Sequence, residues 1–383
     1  MTSISTAAPL VPGRLEQFST RVAFFITGFS ISAWAPLVPY AKARLGLDDG
    51  GLGLLLLFLG IGSIVAMPLA GAMTARYGCR RVIILVGSIA CLCLPLLATL
   101  THLWLMVATL FVYGASMGAL GCVTNIQAII VERASGKTMM SGFHGLFSCG
   151  GILGAAGVSA LLSLGVWPWL AMTLVASFIG LALYKSARHM LAYGSEAGGP
   201  AFAIPRGVVL FIGLMCFTVF LTEGAMLDWS AVFLSTQRGV EASYAGFGYA
   251  VFALAMAVGR LCGDPVVRRL GIHRIILFGG LLAAVGMAVA TLIPFWQAAL
   301  CGYALVGLGC SNIVPVFYSA VGRQKTMPEN VAVPAITTLG YIGILMGPAA
   351  IGFVAHLSNL GVAFIIIAMM LLGVALSGRY LKV

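Results

Sequence analysis

GLDDGGLG at residues 46–53 returns as GVEASYAG at 239–246, and ARYGCRRVIIL at 75–85 returns as RRLGIHRIIL at 268–277. The register between the copies does not drift: Gly46 and Gly239, Gly53 and Gly246, Gly78 and Gly271, and Arg81 and Arg274 are all 193 positions apart. The same offset links GGILGAA at 150–156 to GILMGPAA at 343–350, through Gly150/Gly343 and Gly154/Gly347. One offset recurring at three places marks two parallel copies of half a chain. Parallel repeats of this size, embedded in apolar sequence, are the organisation of transporters that rock two bundles about a substrate held between them.

The composition agrees. Of 383 residues, 61% are hydrophobic and 8% charged, with a mean hydropathy of +1.08. A soluble domain carries about 25% charge, so an ordinary cytosolic enzyme is excluded and a multi-pass membrane protein is expected. Continuous apolar runs predict twelve helices near 18–40, 51–74, 82–100, 104–131, 139–163, 166–186, 207–235, 243–264, 274–294, 296–320, 329–357 and 361–382. The runs do not alternate, which argues against a membrane β-barrel. The break at about 187–206 is the natural linker, giving six-helix bundles over 1–195 and 196–383. With the N-terminus labelled inside, 18 Lys and Arg fall inside and three (Lys42, Arg44, Arg238) outside. That bias predicts cytoplasmic N- and C-termini in a bacterial inner membrane. It also assigns the net charge of +11 to topology and anionic lipid rather than to nucleic acid. No signal peptide is expected, because no short apolar run with a cleavage site follows the polar first 17 residues.

Several chemistries are not expected. The nine Cys and five His show no metal spacing, no phosphate-binding lysine loop supports an ATP motor, and no filter sequence supports a channel. No cofactor, metal or enzymatic activity is predicted, and nothing marks a dimer interface, so a monomer is expected.

GAMTARYGCRR at 71–81 resembles the loop motif between helices 2 and 3 of the major facilitator superfamily. Gly71, Arg76, Gly78, Arg80 and Arg81 fit that motif, while Ala75 replaces its acid. The second copy, GRLCGDPVVRRLG at 259–271, keeps Gly259, Arg260, Gly263, Asp264, Arg268 and Gly271. The resemblance implies that these residues gate one face of the transporter. With Ala75 in place of the acid, Asp264 and Arg260, one helical turn apart, are expected to carry the lock in the second half. NIQAIIVERASGKTMMSGFHGLFSCGGILGA at 125–155 and EGAMLDWSAVFL at 223–234 narrow the resemblance to a bacterial group related to fucose permease. It covers nearly the whole chain, and it implies the fold and alternating-access transport without naming the substrate. An Asp common in that group four residues before the helix-4 Asn is Gly121 here.

Of ten acids, only Glu223 and Asp228 fall inside predicted spans, both in the seventh. A charge at mid-membrane costs at least about 2.5–3.5 kcal/mol, so such an acid implies a function or a partner. Desolvation brings a carboxyl towards neutrality, as proton coupling requires. The two acids are five residues apart, roughly 140° around the helix, and therefore do not share a face. Glu223, near the centre, is the expected coupling carboxyl, with Asp228 nearer the outer mouth. His144 is a candidate proton relay, and equally a packing residue bonded to a neighbouring helix. No Lys or Arg sits near a predicted mid-span, which argues against a strongly anionic substrate. Asn125, Gln127 and Asn312 are candidate partners for substrate hydroxyls, with Asn125 and Asn312 following similar glycine-rich strings as potential repeat mates. Trp34, Trp229, Tyr249 and Tyr341 are candidates for stacking on a substrate. Trp104, Trp167, Trp169 and Trp296, beside outer loops, read as interface anchors.

The expected function is proton-coupled symport of a small neutral or weakly charged organic solute, a sugar among the candidates. The alternative is a proton-driven efflux antiporter for lipophilic or cationic compounds, since GGILGAAG at 150–157 faintly resembles an exporter motif whose proline is missing here.

Overall fold

The computed structural model describes residues 12–195 and 204–381. The expected bundle boundary, between residues 195 and 196, lies at the edge of the first described segment. The described residues form helices and no strands. Eleven helices are long and apolar enough to span a membrane, and a bent pair makes a twelfth. We number them α1 (Arg14–Leu45), α2 (Gly51–Tyr77), α3 (Cys79–Thr99), α4 (Leu103–Ser135), α5 (Met140–Ser163), α6 (Pro168–Ala187), α7 (Gly207–Arg238), α8 (Phe247–Leu261 with Gly263–Leu270), α9 (Ile272–Leu292), α10 (Trp296–Val321), α11 (Glu329–Leu357) and α12 (Leu360–Tyr380).

Three helices depart from straight rods. In α1 a 3₁₀ turn, Ala35–Leu37, holds Pro36. α8 bends by 62° between Leu261 and Gly263, just before Pro265. α10 pauses at Ser311 and Asn312, three residues before Pro315. A proline lacks the N–H that would continue the ladder and crowds the preceding turn, so a break one turn upstream is the expected response.

The repeat is visible in the backbone. Gly78 and Gly271 both adopt positive φ (80° and 78°) at the corners joining α2 to α3 and α8 to α9. A side chain is strained there, so glycine recurs. Two of the three cations counted as outside behave alike in the two halves. Arg44 donates to the carbonyls of Leu97, Ala98 and Leu100, and Arg238 to those of Ala290 and Thr291. Ala290 is the repeat mate of Leu97, so both arginines cap the C-terminal carbonyls of the third helix in their bundle, where a cation is favoured.

Within the first bundle α2 packs on α4, α1 on α5, and α3 on α4 and α6; in the second, α7 packs on α11, α8 on α10, and α9 on α10 and α12. The bundles meet along α2–α11 and α5–α8. Large apolar side chains such as Leu54, Leu92, Leu153 and Phe278 point outward and stay exposed, as lipid-facing surface must. Trp104, Trp167, Trp169 and Trp296 are exposed.

Glycine permits the closest approaches. A Cβ at Gly114 would lie 2.0 Å from the Leu59 carbonyl oxygen, and one at Gly62 would lie 2.1 Å from that of Phe111. Both contacts are between α2 and α4, inside one bundle. Gly114→Val is therefore expected to destabilise the fold by about 1–3 kcal/mol through overpacking. A lowered melting temperature in detergent checks this; an unchanged one would mean that the α2–α4 contact yields without cost.

Candidate functional site

α7 carries Glu223 at its middle, and α8 carries Arg260 in the last turn before its bend. The Arg260 guanidinium donates through Nη2 to Glu223 Oε1 at 2.9 Å, through Nη1 to Ser148 Oγ at 3.0 Å, and through Nε to the Ser311 carbonyl at 3.3 Å. The side chains of Arg260 and Glu223 are 7% and 17% exposed. At that burial neither charge is tolerable alone, and the pair with its extra hydrogen bonds offsets the desolvation of both. Through Arg260 the site ties together α7, α8 and α10 of the second bundle and, at Ser148, α5 of the first.

This geometry corrects two expectations. A cation does reach the middle of the protein, because the late position of Arg260 is offset by its long side chain and by the neighbouring bend. Arg260 also does not lock with Asp264: it turns to Glu223, while Asp264 faces the other bundle. Asp228, one and a half turns beyond Glu223, is exposed. Arg268 is likewise exposed.

Beside the ion pair lies a second buried cluster. His144 Nε2 is 3.2 Å from Asn125 Oδ1, and the Asn125 amide donates to the Gly121 carbonyl at 2.9 Å. With its amide so used, Asn125 offers oxygen to His144, and Nε2 is the donor. The His144 ring lies 5.6 Å from Tyr318, whose hydroxyl is 2.8 Å from Thr337 Oγ1. Tyr318 and Thr337 stand 193 positions after Asn125 and His144, so these are the same pair in the two repeats, meeting at the interface. Asn312 is thus not the mate of Asn125. It sits at the break in α10, donating to the Gly259 carbonyl and to Ser311 Oγ, with its own Oδ1 buried and unpartnered among the described residues. Gly263 is required there, since its Cβ would fall 1.9 Å from Asn312 Oδ1.

The other candidates separate. Gln127 is fully buried and bonds Thr20 Oγ1 and the Leu191 N–H, tying α4 to α1 and the linker. The indole N–H groups of Trp34 and Trp229 are buried without a hydrogen-bond partner among the described residues. Trp229 packs against Gly352. Tyr249 is 37% exposed and tilts against Phe252, and Tyr341 is half-buried on the core.

At the arginine-rich end the bundles are closed by contacts centred on the start of α5. Glu132 Oε2 accepts the Met139 and Met140 N–H groups, both at 2.8 Å, and its Oε1 accepts Ser319 Oγ at 2.5 Å. Asp264 Oδ2 accepts the Gly142 N–H at 3.1 Å, and Thr138 Oγ1 donates to the Asp264 carbonyl. Two carboxylates, one from each bundle, therefore cap the unpaired N–H groups of α5, where negative charge is stabilised. Arg133 pairs with Glu329 and donates to the Gly322 carbonyl. Gly71 lets α2 meet α11: its Cβ would lie 2.2 Å from the Asn330 carbonyl oxygen. Arg80 donates to the carbonyls of Arg188 and Met190 in the linker, and a Cβ at Gly259 would lie 2.5 Å from Ser311 Oγ. Glu132, Ser148, Ser319, Tyr318 and Thr337 were not expected. The constant repeat offset, carried through to 318 and 337, could have found the last two.

The profile of the Major Facilitator Superfamily matches residues 22–333. An uncharacterised MFS-type transporter of Yersinia pestis is 56% identical over 369 residues, covering 96% of each chain. Membrane protein MosC of Rhizobium meliloti is 30% identical, covering 93% of this chain and 88% of its own. Among solved structures, the E. coli fucose:proton symporter FucP superposes with a TM-score of 0.80 at 15% identity, covering 96% of this chain and 98% of FucP. The proton:xylose symporter XylE does so at 0.69 and 13%, covering 96% and 95%.

Proposed function

The chain belongs to the major facilitator superfamily, and from that premise we propose that it is a proton-coupled symporter of a small neutral or weakly charged organic solute. The buried Glu223–Arg260 pair, bridged to the other bundle at Ser148, is the observation that carries this reading. A proton on Glu223 removes the charge that holds Arg260. The contact from Arg260 to α5 is then free to part, and the bundles can rock about the site. Loss of the proton on the other side restores the pair. Among the described residues, the candidate substrate positions that leave a buried polar atom without a hydrogen-bond partner, Trp34, Trp229 and Asn312, are uncharged. Such a set suits hydroxyls and ether oxygens. Structural neighbours described as fucose:proton and proton:xylose symporters support the same direction. The positive-inside bias supports an orientation with the arginine-rich end and both termini in the cytoplasm of a bacterial inner membrane.

Reconstituted vesicles holding an internal pH dye test this, with sugars, amino acids and lipophilic cations added singly without an imposed gradient. Acidification on adding a solute, lost in Glu223→Gln, is expected. Alkalinisation by a lipophilic cation would replace symport with efflux antiport. Labelled solute crossing without a pH change would remove Glu223 from the coupling role.

A further inference from the structure

The corner between α2 and α3 forms, with the linker, a pocket of about 490 Å³ that neither the ion pair nor the closed gate uses. Its walls are Arg76, Tyr77, Arg80 and Arg81 on one side and residues 192–195 on the other. The linker is held in place by backbone bonds: the Arg80 N–H donates to the Leu191 carbonyl at 2.7 Å and the Cys79 N–H to that of Tyr193 at 3.2 Å. Two glycines make the fit possible. A Cβ at Gly78 would lie 2.0 Å from the Ala192 carbonyl oxygen, and one at Gly194 would lie 2.3 Å from that of Thr74. The pocket is therefore built, not left over from a loose loop.

Its chemistry is one-sided. Among the described residues three arginines and no carboxylate line it, and Ala75 stands in the wall where the superfamily motif has an acid. Arg76 and Arg81 are exposed, and Arg80 is fixed by its bonds to the linker carbonyls. Ser195 Oγ lines the pocket too, buried and without a hydrogen-bond partner among the described residues. Burial, then Cys79 and Glu16, push the Tyr193 phenol above its ordinary value, so it stays a donor. Glu16 itself accepts the Gly13 N–H at 2.7 Å.

We propose that this pocket binds one phosphate group, held between the Arg76 and Arg81 guanidiniums with Ser195 Oγ as a third donor. Arginine forks match phosphate oxygens in paired hydrogen bonds, and basic pockets at helix ends of this kind take anionic head groups. Two sources carry that chemistry: the phosphodiester of an anionic phospholipid, and a soluble phosphate. By joining α2–α3 to the linker, the ligand would stiffen the connection between bundles.

Native mass spectrometry of the purified full-length protein, in micelles doped with equal phosphatidylglycerol and phosphatidylcholine, tests the site. Wild type is expected to retain phosphatidylglycerol with roughly tenfold preference. Arg76→Gln with Arg81→Gln is expected to lose that preference, and Ser195→Ala to reduce it. Inorganic phosphate is the second arm. If it raises the melting temperature in an Arg76- and Arg81-dependent way while phosphatidylglycerol shows no preference, the site serves a soluble phosphate. Phosphatidylglycerol that survives excess phosphate identifies the lipid. If wild type shows neither effect, or if the folded double variant keeps both, the proposal is overturned. The wild-type arms decide the matter even where the double variant does not fold.

Discussion

Arg260→Gln is expected to destabilise the fold by about 3–5 kcal/mol and to abolish solute-driven proton movement. The substitution leaves Glu223 desolvated with no cation, and it also frees Ser148 Oγ and the Ser311 carbonyl, which Arg260 now satisfies. Glu223→Gln is expected to destabilise on the same scale, because it leaves a buried guanidinium unbalanced. Joining the two substitutions removes both charges together. The double variant is therefore expected to be more stable than either single variant, while transporting no protons, since the carboxyl proposed to couple them is gone. Melting temperatures of the four proteins in one detergent give the coupling energy, and the vesicle pH assay gives the transport outcome. Additive stability losses would mean that the pair contributes no net interaction. Proton movement in the double variant would place the coupling group elsewhere, with Asp228 next in line.

Gly71→Val is expected to hold the arginine-rich end open. The contact it blocks lies between α2 and α11, across the bundles, where a Cβ would meet the Asn330 carbonyl oxygen at 2.2 Å and Pro334 Cγ at 2.5 Å. Strain of about 1–3 kcal/mol applied to one of two facing states shifts their ratio by about five- to 150-fold. Gly114→Val has the same chemistry but sits inside a bundle, where it strains both states equally and lowers stability instead. Spin labels on cysteines placed at Lys137 and Arg323, which flank the gate, read the difference. Gly71→Val should move their distance distribution to longer values and slow turnover, with only a small fall in melting temperature. Unchanged distances would show that α11 gives way and that Gly71 serves packing alone.

Much of this molecule is legible in its sequence. Apolar runs marked the spans, because a helix pairs its own backbone groups where lipid cannot. The 193-residue offset identified two bundles, since positions such as Gly78 and Gly271 keep one backbone conformation in both. The singular place of Glu223 was also readable, because an acid at mid-span is costly enough to stand out from composition. The largest boundary shift is in α8, where the predicted span to 264 becomes a bent pair reaching Leu270.

Partners were not legible, and the reason is geometric. Arg260 lies one turn from Asp264 and 37 residues from Glu223, so sequence spacing favours the wrong acid. The choice is made by the rotation of α8 against α7 and by the bend at Cys262, which send the guanidinium inward and the Asp264 carboxylate across to α5. Glu132 looked like a helix-end acid and is a buried cap, because the next helix begins with its N–H groups aimed at it. The sequence by itself determined the spans, their duplication and the isolation of one central acid, all of which follow from the cost of placing polar groups in hydrocarbon. Only the tertiary structure decided which charge neutralises that acid and which carboxylates cap the start of α5, since a few ångströms of helix rotation outweigh any spacing along the chain.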